Sequence, residues 1–130
     1  MKTKIFGTFI IAALVFSVAI PVLAVTTDTT LYYSGTSADA SLAVTDNFYY
    51  GFAATDLSQN GQQISRKLAV SIFAYTSTGS LISQDGVNYN YIHTDAGVHG
   101  GSSASYYKSY HAILDGSDAV LDSARLSLYE

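Results

Sequence analysis

Polar and apolar residues alternate with a period of two along most of the chain. The clearest case is Arg66 to Gln84, RKLAVSIFAYTSTGSLISQ. Leu68, Val70, Ile72 and Ala74 fall on one parity, and Ala69, Ser71, Phe73 and Tyr75 on the other, as on a strand with one face buried. Thr76-Ser77-Thr78-Gly79 supplies turn chemistry, and Ser80 to Ser83 reads as the returning strand, so the segment is expected to form a β-hairpin. Leu31-Tyr32-Tyr33 is a short strand candidate after a loose, Thr-rich stretch from Val25 to Thr30.

From Ala38 to Ala54 the even positions are mostly apolar on both sides of Asp46-Asn47. That favours one long strand with a kink or bulge over two strands joined by a turn at Thr45-Asp46-Asn47. Asp56 to Gln63 reads as a polar loop around Asn60-Gly61, and Asp85-Gly86 as a second turn. Val87 to Thr94 alternates again. Asp95 to Ser103, DAGVHGGSS, reads as a small-residue loop. Ala104 to Leu114 is a strand with Tyr107, His111 and Ile113 opposite Tyr106, Lys108, Tyr110, Ala112 and Leu114. Asp115-Gly116-Ser117-Asp118 is a turn, and Ala119 to Tyr129 a final strand packing through Leu126 and Leu128. The one helical alternative places Val120, Leu121, Ala124 and Leu128 on a common stripe. Six to eight short strands separated by turns specify an all-β chain: a single antiparallel β-sandwich, Ig-like or jelly-roll-like. The hairpins at 74–83 and 111–123 share a strand, small-residue turn and aliphatic restart, which hairpins share generally.

The first segment breaks this pattern. Lys2 and Lys4 precede an uncharged apolar run from Ile5 to Ile20, and Pro21-Val22-Leu23-Ala24 closes it with Val22 and Ala24 at the −3 and −1 positions. This is the arrangement of a secretory signal peptide, with processing expected after Ala24. The competing reading is a retained anchor, since about 20 apolar residues can span a bilayer. The expected organisation is therefore residues 1–24 as signal peptide and 25–130 as one secreted, extracellular domain with no membrane attachment after cleavage. There is no Cys, so neither disulfides nor lipid attachment through a thiol is available. An exported Cys-free chain suits a Gram-positive type of bacterium.

Charge narrows the partners. The whole chain carries −4. Without Lys2 and Lys4, the four remaining cations (Arg66, Lys67, Lys108, Arg125) stand against ten carboxylates, leaving −6. Nucleic acid is not an expected partner, and neither are anionic lipids or wall polymers unless a divalent ion bridges.

Candidate chemistry is sparse. His93, His99 and His111 could converge on a metal ion if a hairpin brought the first and last together, but their spacing matches no metal motif. Asp-rich turns could hold Ca²⁺, though none has the twelve-residue EF-hand pattern and Asp is favoured in turns anyway. The expectation is no metal and no cofactor. No Gly-x-Ser-x-Gly elbow is present and the only Glu is terminal, so no catalysis is expected. The distinctive feature is eleven Tyr without any Trp. Adjacent Tyr on a strand point to opposite faces, so Tyr32-Tyr33, Tyr49-Tyr50 and Tyr106-Tyr107 each put one ring outward. Tyr89, Tyr91, Tyr106 and Tyr110 are the candidate binding residues, a platform for a protein partner, a second copy of the chain, or sugar rings. Tyr106-Tyr107-Lys108-Ser109-Tyr110-His111 resembles a strand of the lactococcin-type secreted bacteriocins, which are also small Cys-free β proteins. The likeness covers six residues, the Trp-containing motif of that family is missing, and the mature chain is longer. The expected function is a non-catalytic structural or protein-interaction module at the cell surface, the alternative a secreted carbohydrate-binding or bacteriocin-like effector.

Overall fold

The computed structural model describes residues 23–45, 47–58 and 66–130. Among them are eight strands: β1 (Leu23–Tyr33), β2 (Thr36–Thr45), β3 (Tyr50–Leu57), β4 (Lys67–Tyr75), β5 (Leu81–Asn90), β6 (His93–His99), β7 (Tyr106–Leu114) and β8 (Val120–Tyr129), with one 3₁₀ turn at Gly101–Ser103. They form two antiparallel four-stranded sheets, ordered β1-β2-β3-β6 (sheet A) and β5-β4-β7-β8 (sheet B). The segment 1–22 and the Asn60-Gly61 loop lie outside the described residues, while Ala24 lies within β1.

The β4–β5 hairpin forms as its alternation requires. Leu68, Val70, Ile72 and Ala74 point inward and are essentially unexposed. Gly79 takes φ +87° in the turn, a conformation that favours glycine. Val70, Ile72 and Ala74 join Ala40, Leu42, Val44 and Ala53 of sheet A and Tyr107, Leu126 and Leu128 of sheet B in one core cluster. A second cluster, Leu31, Ala38, Leu68 and Ile113, continues it toward the other end of the sheets.

Four local expectations are corrected. First, residues 38–54 are two strands, not one. Val44 pairs with Gly51, so the inward parity switches from even on β2 to odd on β3. Thr45 Oγ1 accepts the Tyr49 and Tyr50 amides, and Asn47 Oδ1 accepts both Thr45 Oγ1–H and the Tyr49 amide, which closes the turn. Phe48, at φ +60° and nearly buried, tucks into the core from this turn. The large residues Phe52 and Tyr50 had made the even parity look inward. The true inward row of β3 is small at Gly51 and Ala53 because the Tyr107 ring occupies that space: a Cβ on Gly51 would lie 2.4 Å from Tyr107 Cδ1.

Second, Asp85-Gly86 is not a turn. β5 runs through it, with the register against β4 shifting between Val70 and Ile72, a bulge that absorbs the extra residue. Third, residues 95–103 are largely strand: Thr94, Ala96 and Val98 alternate inward along β6 against β3. Their small size suits a close fit and hides the strand signal. Fourth, β1 is a full edge strand from Leu23, its Thr-rich part paired residue by residue with β2. The Ser34-Gly35 turn that joins them has positive φ at both positions, the geometry that matches strand twist in a two-residue hairpin. The final segment is strand β8, not helix.

Candidate functional site

Cross-strand register brings the tyrosines together. On the outward face of sheet B, Tyr75, Tyr106 and Tyr129 sit directly opposite one another on β4, β7 and β8. Their rings stack: 4.9 Å between centroids and 12° between planes for Tyr75 and Tyr106, then 5.1 Å and 27° for Tyr106 and Tyr129. The next row is Phe73, Lys108 and Ser127, and the one after it Ser71, Tyr110 and Arg125. Lys108 Nζ lies 5.5 Å from the Tyr106 ring centre and 5.9 Å from that of Tyr75, and the Arg125 guanidinium 5.8 Å from that of Tyr110. These are cation–π distances. Phe73, Tyr75, Lys108, Tyr110, Arg125 and Ser127 line a half-open depression of about 290 Å³.

Of the four tyrosines singled out by sequence, Tyr106 and Tyr110 belong to this surface. Tyr89 lies on the same face but on the edge strand β5, opposite Ala69, with Lys67 Nζ 5.8 Å from its ring centre. Tyr91 is exposed in the bend between β5 and β6. The sequence reading missed Phe73, Tyr75 and Tyr129 as ring partners, and Lys108 and Arg125 as the cations over them. Alternation does mark all of these as sharing one face of their own strand. What places them side by side is register, which alternation does not encode.

Charge is segregated between the outward faces. Sheet B's strands carry Lys67, Lys108 and Arg125 outward. Their two carboxylates turn toward sheet A instead: Asp85 accepts the Gly97 amide and Asp122 the Tyr32 amide, at the two seams where the sheets' edges meet. Lys67 pairs with Asp118 at 2.6 Å, and neither Lys108 nor Arg125 forms an ion pair among the described residues. Sheet A's strands carry no Lys or Arg, and four carboxylates, Asp28, Asp39, Asp56 and Asp95, lie on its outward face. Asp39 and Asp56 face each other across β2 and β3, an unfavourable like-charge pair. Thr30 and Ser58 donate hydroxyls to Asp39, and His93 bridges Asp56 and Asp95. The hydrogen bond to Asp56, then that to Asp95, raises the His93 pKa to about 9 despite its partial burial, so it is a cation at neutral pH.

The three histidines are not brought together. His93 and His99 lie on the outward face of sheet A, where the His99 ring stacks on Tyr50 at 4.7 Å. His111 points inward and is fully buried. Burial lowers its pKa to about 4, so it is neutral. Thr55 donates its hydroxyl to Ala69 O, so at 2.8 Å it accepts from His111 Nδ1–H, and Nε2 accepts from Ser109 at 2.7 Å. This relay ties β3 of sheet A to β4 and β7 of sheet B. It contains a Ser-His contact, but Ser109 is itself buried, and the pair is a structural cross-tie rather than a nucleophile offered to a substrate. Among the described residues no group of three or more His, Cys, Asp or Glu could hold a metal ion, and no helix is long and apolar enough to cross a membrane.

No protein-family model, no curated protein and no solved structure matches this chain.

Proposed function

We infer that the two sheets form an open β-sandwich whose business is recognition: a secreted, non-catalytic interaction module at the cell surface that contacts another protein through the outward face of sheet B. The observation that carries this reading is the ladder Tyr75–Tyr106–Tyr129, flanked by Lys108 and Arg125 and ending on edge strand β8 with Tyr129 62% exposed. Tyrosine and arginine are the residues that concentrate binding energy in protein contacts, and an edge strand adds backbone groups that can pair with a partner.

The same geometry weighs against a sugar platform. A pyranose ring needs an aromatic face lying open to it. Here the ring faces of Tyr75 and Tyr106 are taken up by each other, by Tyr129 and by Lys108. A carbohydrate-binding or bacteriocin-like effector role is therefore the weaker reading.

The test is photo-cross-linking on the cells that produce the chain. A photoreactive residue replaces Ser127, on that face beside Lys108, or Ser117, in the remote β7–β8 turn. Protease-sensitive adducts from position 127 and none from 117 are expected. Adducts from 127 that resist protease and yield to glycosidase would overturn the protein reading in favour of sugar, and no adducts would overturn both. Intact mass of the same material tests export: processing after Ala24 gives a product beginning at Val25, and a retained anchor leaves the chain uncut.

A further inference from the structure

The partner of the tyrosine-bearing face is written on the opposite side of the molecule. We propose that the outward face of sheet B docks the outward face of sheet A of a second copy, so that copies stack head to tail. This rests on the reading of sheet B as a protein-contact surface and names the protein.

Three observations carry it. The first is charge. Sheet B presents Lys108 and Arg125 outward with both of its strand carboxylates turned to the seams, whereas sheet A's outward face carries Asp95 exposed, Asp28 and Asp56 half-buried and Asp39 buried and bonded to the Thr30 and Ser58 hydroxyls, with only His93 in partial compensation. A chain of such acidic composition spreads its carboxylates at random only if nothing selects their position. Here one outward face is basic and the other acidic, the complementarity that steers two surfaces together.

The second is aromatic content. Sheet A's face carries Tyr50 stacked with His99, and Tyr49 beside them, so it offers rings as well as carboxylates to the Tyr75–Tyr106–Tyr129 ladder. Charged rims around aromatic contacts are the usual anatomy of a specific interface. The third is size. Four strands at about 4.8 Å spacing and about nine residues at 3.3 Å give roughly 570 Å² of projected area per face. Two faces together offer at most roughly 1,100 Å², just above the ~1,000 Å² a biological contact should clear and in the size range of weak, transient ones.

The two faces are different patches, so the contact is heterologous. A translation that satisfies it leaves a basic face at one end and an acidic face at the other, and growth does not close unless a rotation closes a ring. That geometry makes a test that ordinary dimers cannot mimic. One variant, Lys108→Glu with Arg125→Glu, spoils only the basic face. Another, Asp28→Asn with Asp95→Asn, spoils only the acidic face and leaves it uncharged at those positions, so the two spoiled faces have no complementary charge for each other. Each is measured by sedimentation velocity on the full chain as the cell processes it, after circular dichroism and a melting curve establish that it is folded. Wild-type mass should rise with concentration up to about 1 mM, a weak-affinity range. The rise should shrink in about 0.5 M salt, where the screening length is roughly 4 Å. Each variant alone should stay monomeric. An equimolar mixture should form particles of twice the monomer mass and none larger, because one intact basic face meets one intact acidic face and both free ends are spoiled.

A monomeric wild type at the top concentration and low salt would overturn the proposal, as would a mixture that stays monomeric. Association that survives both double variants would place the contact elsewhere and overturn it too. If the charge reversal on sheet B unfolds the chain, the neutral pair Lys108→Gln/Arg125→Gln replaces it and the design is repeated at lower contrast. A monomeric wild type that still gives protease-sensitive cross-links from position 127 to other proteins sinks the self-contact and leaves the interaction module standing. The absence of protein cross-links sinks both.

Discussion

Gly51 and Tyr107 offer the sharpest test of how the core is built. Tyr107 is fully buried between two glycines. A Cβ on Gly51 would stand 2.4 Å from its Cδ1 and 2.7 Å from its Cε1, and a Cβ on Gly100 would stand 2.2 Å from its hydroxyl oxygen. The hydroxyl donates to Phe48 O at 2.8 Å, which fixes the ring along its length as well. Ordinary carbon contacts lie near 3.5–4.0 Å, so Gly51→Ala demands that the ring move by about 1 Å with nowhere to go. Overpacking of this kind costs about 1–3 kcal/mol, and displacing the hydroxyl from Phe48 adds about 1 kcal/mol. Against this, alanine at a position without positive φ restricts the unfolded chain and stabilises by about 0.4–1 kcal/mol. The expected net loss is about 2 kcal/mol. Urea denaturation should then show a midpoint lower by about 1–2 M, given a slope of 1–2 kcal/mol/M for a chain of this size. In a Tyr107→Val background the clash with the ring is gone and only the 3.1 Å approach to the flexible end of Ile72 remains, so Gly51→Ala should become close to neutral there, a coupling of about 2 kcal/mol across the cycle. Equal effects of Gly51→Ala in both backgrounds would refute the clamp, and so would a stabilising Gly51→Ala in the wild type.

The two polar histidines predict opposite limbs of the stability–pH curve. His111 titrates near 4 in the fold against about 6.5 unfolded, so the unfolded state takes up a proton first as pH falls. Stability should drop between pH 6.5 and 4 by about 3 kcal/mol, and His111→Gln should flatten that limb; an unchanged limb would mean the cross-tie is not the source. His93 titrates near 9 in the fold, so its contribution is full below pH 6.5 and is lost as pH rises through 9. At this half-exposed site that amounts to about 1 kcal/mol or less after solvent screening, and Asp56→Asn should remove it, read from melts at pH 7 and 10. Thr45→Val keeps the shape but deletes the acceptor of the Tyr49 and Tyr50 amides, so it should cost about 1–3 kcal/mol while Thr45→Ser costs less; equal midpoints for Val and Ser would refute the turn's dependence on that hydroxyl.

What the sequence made legible was parity within a strand. Leu68, Val70, Ile72 and Ala74, or Tyr107, His111 and Ile113, could be assigned to one face from spacing alone, because a strand's faces alternate whatever it pairs with. What it concealed was everything set by a neighbour. Phe52 looked like a core residue beside Gly51 and Ala53, yet the small pair points inward, because the volume on that side is filled by Tyr107 from the other sheet. The His93–Asp56 contact joins residues 37 apart, and the Thr55–His111 contact joins residues 56 apart. Neither spacing is a motif.

The same limit explains why the net charge says nothing of where the charges lie. A total of −6 for residues 25–130 is a sum over the chain and does not describe any one face. Along the sequence they are mixed: Lys108 and Arg125 stand among Asp95, Asp115, Asp118 and Asp122. Folding sorts them. Lys108 and Arg125 have the parity that points outward on β7 and β8, while Asp122 has the opposite parity and reaches across to the Tyr32 amide. Asp85 does the same at the other seam, toward Gly97. Each of these carboxylates satisfies a backbone amide at a sheet edge, where an unpaired donor would otherwise remain, and in doing so leaves the outward face of sheet B to its cations. Closing the seams and creating a basic face are thus one structural act. Replacing Asp122 or Asp85 with an uncharged residue would therefore loosen a seam without altering the outward charge, whereas replacing Lys108 or Arg125 would alter the face and leave the seams intact.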